Sequence, residues 1–441
     1  MSTNKSQEKI VLTPIQPIEK VKRWVFIIVF VLINYFAIRN FLLLSTDMIY
    51  GNYSAQKLVP APAYLPMRIP KTPTTREYQA VNRLGADFAS IYFPAQDISA
   101  LQNAYNSSLS LDPWQRSPNY APLILGLCSI TLCKLSYGYA SFGNILIQLL
   151  LFFSVFYFVF RALGTKNCFL PVFLFIEFCL FVTPAGLSWF ERGQFSLYVA
   201  IAYLLLLIGL IRNNPVSIVL SAVFAFIKWT SLPFIFVILA IYLLSSKNKK
   251  DLQYSLLTVF LFSVAFGLLL LPFMNENILF LQRIIYSEAY DFPVGISLAT
   301  YFPAYSVKSL PLATSLIGYI IARIYKCDFY DLLPFLTGAA VILLLYPTQA
   351  WAYSIPTILG FIPLMIFWTK RLAVNQRKLG NLLLILFALF VAFASFWTKH
   401  TGPIVIVIVI YLAFSAALMI SPIILAKYFG KPVQQAITSE K

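Results

Sequence analysis

Apolar runs of membrane-spanning length recur along this chain from Trp24 to Tyr428, separated by short connectors. A hydrocarbon core ~30 Å thick takes about 20 apolar residues in a helix, and it cannot satisfy an open backbone. The chain must therefore build helices whose outer surfaces face lipid. Only 11% of its 441 residues are charged, less than half the roughly 25% of a soluble domain. The runs are continuous rather than alternating, which excludes a transmembrane β-barrel. The expected fold class is an all-α polytopic membrane protein.

The net charge of +17 sits mostly in the connectors. That is the positive-inside pattern, so the charge reports orientation and contact with anionic lipid headgroups rather than a nucleic-acid partner. Residues 1–23 read as a cytoplasmic tail. The first run, Trp24–Leu44, follows Lys20, Lys22 and Arg23 and has no small-residue cleavage site, so an uncleaved anchor is expected. Residues 24–425 then form one transmembrane domain and 426–441 a second cytoplasmic tail. A long first extracytoplasmic loop spans 45–118. Its early prolines (Pro60, Pro62, Pro66, Pro70, Pro73) bar a helix there, while Arg76–Asn106 has room for short interfacial helices. A second extracytoplasmic loop spans 274–310.

Charge parity shapes the rest. If both Tyr120–Leu132 and Phe142–Phe160 crossed, every later basic connector would lie outside. The 13-residue Tyr120–Leu132 run is short for a span and is read as embedded without crossing. Asn214–Leu244 is bounded by cytoplasmic connectors at both ends, so two short helices should meet near Lys228. The count comes to about twelve crossings with both termini inside. The five cysteines, Cys128, Cys133, Cys168, Cys179 and Cys327, contain no CxxC pair and read as buried small hydrophobes.

Under this topology several polar groups converge on the outer face. They are Asp87 with Arg83, the run Glu191-Arg192-Gly193-Gln194, Lys228-Trp229-Thr230, and loop 2 with Arg283, Glu288 and Asp291. Tyr346, Trp351, Lys399 and His400 share that side. Each has an ordinary reading: a loop carboxylate at Asp87, a salt-bridged turn at Glu191-Arg192, surface decoration at His400. Lys228 resists it, because a lysine that interrupts an apolar stretch is costly and usually functional. Cations near the outer leaflet suit a phosphate on a lipid carrier, with arginine forking onto two oxygens and lysine acting as a point charge. A carboxylate facing them can take a proton from an acceptor hydroxyl, work that contributes about 10²–10⁴ in rate.

The segments Gly85-Ala86-Asp87-Phe88, Tyr92, Ala95, Asp112-Pro113-Trp114 and Tyr120-Ala121-Pro122-Leu123 resemble the first-loop signature of glycosyltransferase family 87, in the GT-C superfamily. Gly193-Gln194 is similar to that family's Gly-Gln turn and Phe226-Ile227-Lys228 to its apolar-Lys hairpin. Tyr346-Pro347 with Ala350-Trp351-Ala352-Tyr353 is similar to its late Ser-Pro-aromatic motif. Ala121 stands where the family has proline and Tyr346 where it has serine. Ala352-Tyr353 replace the histidine common in mannosyl-transferring relatives, which leaves mannose and arabinofuranose both open.

The resemblance implies a GT-C fold, a polyprenyl-phosphate-sugar donor and Asp87 as catalytic base. It also implies Lys228 near the donor phosphate and Gln194 near the sugar or acceptor. Beyond the resemblance, Arg192 and Arg283 are further candidates for the donor phosphate, and Glu191, Tyr92, Tyr353 and His400 for substrate binding. No Asp-x-Asp metal motif is present, so no cofactor is expected and a divalent metal is not favoured. The acceptor would be a glycan or a secreted, pilus-type protein, met at the periplasmic face of a bacterial inner membrane. The competing reading is a transporter or flippase for a lipid-linked glycan; it calls for an internal repeat, and none is seen.

Overall fold

The computed structural model describes residues 17–51, 84–96, 120–246, 248–290, 294–295, 297–302, 304–346, 349–350, 352–396 and 404–429. Their architecture is helical. In chain order the helices are α1 (Pro17–Tyr50), α2 (Ala86–Gln96), α3 (Pro122–Ile130), α4 (Tyr137–Ala162), α5 (Phe169–Phe181), α6 (Pro184–Arg192), α7 (Ser196–Arg212), α8 (Pro215–Ile227), α9 (Leu232–Leu244) and α10 (Lys249–Leu270). They continue as α11 (Met274–Tyr290), α12 (Ala304–Lys308), α13 (Leu310–Ile324), α14 (Leu333–Leu343), α15 (Phe361–Arg371), α16 (Val374–Phe396) and α17 (Ile404–Phe429). Two-residue strands β1 (Val294–Gly295) and β2 (Gln349–Ala350) pair in parallel.

Five described helices are long and apolar enough to cross a membrane: Trp24–Tyr50, α4, α10, α16 and Val405–Phe429. The number rises to seven if two bent pairs each count as one span, α5 with α6 at 65° and α8 with α9 at 120°. The sites of the bends are written in the sequence. Thr183 caps α6 by accepting from Gly186 N, and Pro184 occupies its first turn. Proline suits that position because its missing N–H is not needed there. Asn214 caps α8 in the same way, with Pro215 behind it. Lys228 lies extended between α8 and α9, where the sequence placed the meeting point of two short helices.

Helix α7 is the centre of the bundle. Every residue from Ser196 to Ile211 is buried, as expected of a helix apolar on all sides. It packs against α4, α8 and the 3-10 segment Ala352–Ile358. Small residues permit the closest crossings, as is usual between membrane helices. A methyl on Gly338 of α14 would sit 2.7 Å from the Ser415 carbonyl oxygen of α17, and Ser415 Oγ donates to Gly338 O at 2.7 Å. Large side chains such as Leu256, Phe260 and Leu268 of α10 point outward and are exposed, the surface lipid requires.

The bundle has two unlike ends. At one, the basic connectors meet. The Arg212 guanidinium donates to Ala162 O, Tyr330 Oη donates to Ile211 O at 3.2 Å, and Arg371 lies over the Tyr330 ring at 4.5 Å. Arg161, Lys370 and Arg371 occupy last turns at this end. At the other end, the Gly85 N–H donates to Glu191 O at 2.7 Å, and Leu298 N donates to Leu345 O at 2.9 Å beside the β1–β2 pair.

Four sequence expectations change. Helix α1 runs to Tyr50 rather than Leu44, which puts Asp47, 1% exposed, inside the helix. The stretch 274–310 opens with a 17-residue helix, α11. Cys128 and Cys133 are not free buried thiols; they form a disulfide, since the turn after α3 brings them side by side. The short helix of the first loop, α2, is buried in protein through Phe88, Ala89, Ile91, Tyr92 and Phe93 rather than lying at an interface. Helix α3, nine residues and so about 14 Å long, is too short to cross, as charge parity required.

Candidate active site

Two glycines place Asp87. Gly85 has φ +102°, a conformation that residues with a Cβ avoid, and any Cβ there would collide with Ser141 Oγ. Its backbone is fully engaged: the N–H goes to Glu191 O, and the carbonyl accepts Tyr137 Oη at 2.6 Å. Gly193 ends α6 with φ +66°, the left-handed cap that favours glycine. A Cβ on Gly193 would lie 3.3 Å from Gly85 Cα and 3.1 Å from Phe88 Cβ. The two backbones thus approach as closely as glycines permit, and α2 begins directly against the Arg192–Gln194 turn. Asp87 falls in the first turn of α2, where the helix dipole favours a negative charge.

The polar groups of four elements then meet. Gln194 Nε2 donates to Asp87 Oδ2. Lys228 Nζ donates to Gln194 Oε1 at 2.6 Å, and Phe195 N reaches the same oxygen at 3.4 Å. Arg192 Nη1 stands 3.5 Å from Asp87 Oδ2, with side-chain exposures of 20% and 13%. The amide orientation follows from chemistry: its NH₂ faces an acceptor-only carboxylate and its oxygen faces a donor-only ammonium. Beneath, the Phe195 ring contacts Phe88 (centroids 6.4 Å) and Tyr120 (4.8 Å), so both halves of the first-loop pattern floor the cluster.

The other residues singled out from sequence are distributed as follows. Glu191 is fully buried next to the cluster, its carbonyl bound to Gly85 N. Tyr92 is 1% exposed, and its hydroxyl donates to Leu135 O at 2.9 Å. Arg283 and Glu288 lie on α11 and Tyr353 on the Ala352–Ile358 segment, which packs against α6 and α7; their side chains are outside the described residues. His400, Lys399, Arg83, Asp291 and Trp351 also lie outside them.

A buried polar stripe on α4 escaped the sequence reading. Tyr137, Ser141, Asn144 and Gln148 are each at most 2% exposed, and Asn144 Nδ2 donates to Gly193 O at 3.3 Å. Their spacing of four, three and four residues puts them on one helix face, a signal the sequence does contain. Among the described residues, no three His, Cys, Asp or Glu side chains gather as metal ligands would.

Chemically, the cluster offers a partly exposed carboxylate flanked by two cations, one of them held off by an amide. It can accept a proton while stabilising a second negative charge nearby. Comparison with protein-family models, curated proteins and solved structures finds no match.

Proposed function

We propose that this chain is a GT-C-type membrane glycosyltransferase of about twelve crossings, with both termini in the cytoplasm. It moves one sugar, of mannose or arabinofuranose type, from a polyprenyl-phosphate donor to an acceptor hydroxyl. The observation that carries this reading is the Asp87–Gln194–Lys228 bridge. It couples a base to a cation at the end of the bundle opposite the basic connectors, and the positive-inside rule puts that end outside the cell.

Asp87 takes the proton of the acceptor hydroxyl. The acceptor oxygen bonds to the anomeric carbon as the bond from that carbon to the phosphate oxygen breaks. The polyprenyl phosphate leaves with the electron pair, and Lys228 and Arg192 neutralise the charge it gains. Cations aimed at charge that develops in the transition state are usually the largest single contribution to such a rate. Gln194 keeps the Asp87 carboxylate and the Lys228 ammonium from collapsing into a direct ion pair, so the first stays basic and the second stays available to phosphate.

Purified full-length protein, incubated with synthetic polyprenyl-phosphate mannose and polyprenyl-phosphate arabinofuranose and a hydroxyl acceptor, tests the reading by release of polyprenyl phosphate. Release that is equal with wild type and Asp87→Asn rejects it.

A further inference from the structure

The Asp87 helix is held from behind by two tyrosines, and both hang on a disulfide-bonded turn. Cys128, in α3, is bonded to Cys133 in the 3-10 turn Leu132–Lys134, and both are buried. Two residues after Cys133, the Leu135 carbonyl accepts the Tyr92 hydroxyl at 2.9 Å. Two residues further, Tyr137 opens α4 and donates to the Gly85 carbonyl at 2.6 Å. The Tyr92 and Tyr137 rings meet edge-on at 5.2 Å, and Phe93 stacks on Tyr137 at 5.6 Å. Residues 133–137 therefore grip α2 at two points, just before Asp87 and just over one turn after it.

Apart from the disulfide, the turn is held by short-range hydrogen bonds: Thr131 Oγ1 donates to Leu127 O at 2.6 Å, Lys134 N to Thr131 O at 3.0 Å and Leu135 N to Leu132 O at 3.0 Å. Thr131, Lys134, Leu135 and Ser136 are exposed, and no side chain caps the N-terminus of α3. Segments with few buried contacts open locally at low cost, and a covalent bond across the turn removes that freedom.

We propose that the Cys128–Cys133 disulfide forms in the cell and, through Tyr92 and Tyr137, positions the Asp87 carboxylate. The inference stands apart from the glycosyl-transfer reading, since it concerns what fixes α2 whatever the reaction. In forming the bond, two thiols give two protons and two electrons to a disulfide-carrying oxidant, whose own disulfide becomes two thiols. Such oxidants act in extracytoplasmic compartments. The disulfide thus orients the Asp87 end of the bundle outward by an argument unrelated to the positive-inside rule.

Full-length protein in native membranes, dissolved in SDS with N-ethylmaleimide, then reduced and treated with maleimide-polyethylene glycol, tests the bond. Cys168, Cys179 and Cys327 are expected to be blocked at the first step, and two further thiols to appear on reduction. In Cys128→Ser/Cys133→Ser none should appear. Five thiols blocked before reduction overturn the proposal.

Hydrogen exchange of residues 86–96 tests the positioning. Exchange about tenfold faster is expected in the double serine variant, and in Tyr92→Phe with the disulfide intact, while α7 is unchanged. Unchanged exchange in 86–96 overturns the positioning role. So does a loss of protection that extends through α7, which would make the bond a general support of the fold.

Discussion

Lys228 reaches Asp87 through a single amide: its ammonium lies 2.6 Å from Gln194 Oε1, and the far side of that amide donates to Asp87 Oδ2. The two charged residues are 141 positions apart in the chain, and Gln194 touches both. The carboxylate and the ammonium are thus neighbours without being an ion pair.

Removing the carboxyl charge is the first test. Asp87→Asn keeps the shape of the side chain and loses the base. Transfer should fall by about 10²–10⁴-fold with unchanged expression and thermal unfolding in detergent, both measured on the purified protein.

The amide is the second. Gln194→Leu preserves volume and strips Asp87 and Lys228 of their shared partner, so the two are expected to pair directly. A fall of about 10- to 100-fold in kcat, with a smaller change in KM, is the expected outcome. An unchanged kcat in steady-state assays would show that the spacer is dispensable.

Gly85→Ala should destabilise rather than merely inactivate. The substitution combines an unfavourable φ with a collision at Ser141 Oγ, a cost of about 2 kcal/mol or more. Adding Ser141→Ala removes the collision but not the φ penalty. The double variant should recover only part of the lost unfolding temperature.

Gly338→Leu should disrupt the crossing of α14 and α17, because the atom in its way is the Ser415 backbone carbonyl, which cannot rotate aside. A loss of about 1–3 kcal/mol is expected in thermal unfolding, and Gly338→Ala should cost less.

The orientation is read by labelling. Lys308, exposed on α12, lies toward the site end, and Lys250, exposed at the start of α10, toward the basic end. In intact cells a membrane-impermeant maleimide should modify Lys308→Cys and spare Lys250→Cys. The reverse result would invert the molecule and remove the site from the outer face.

The membrane class, the break at Lys228 and the short α3 were legible because hydropathy and charge act locally, and a lysine in an apolar run is conspicuous. The meeting of Asp87, Arg192, Gln194 and Lys228 was legible only as a shared side of the membrane. The contact itself depends on the Gly85–Gly193 approach, which no local pattern announces. Helix α11 was missed because Asn275, Glu276, Asn277, Gln282 and Arg283 make its sequence polar enough to pass for a loop. The disulfide was missed because a separation of five residues becomes a bond only once the 3-10 turn folds the chain back. The α4 stripe was available in the spacing of Tyr137, Ser141, Asn144 and Gln148, and was hidden among strong apolar neighbours.

Helix α7 carries Gln194 just ahead of its first residue and Arg212 at its last, about 25 Å away. Because no face of it is free, it cannot tilt or slide without displacing its neighbours. Gly209 is where α7 meets α8, and a methyl there would press on Ile218 at 2.8 Å. A disturbance at the basic end of the bundle is therefore carried along a rigid shaft to the amide between Asp87 and Lys228, and the geometry of that cluster depends on packing about 25 Å away.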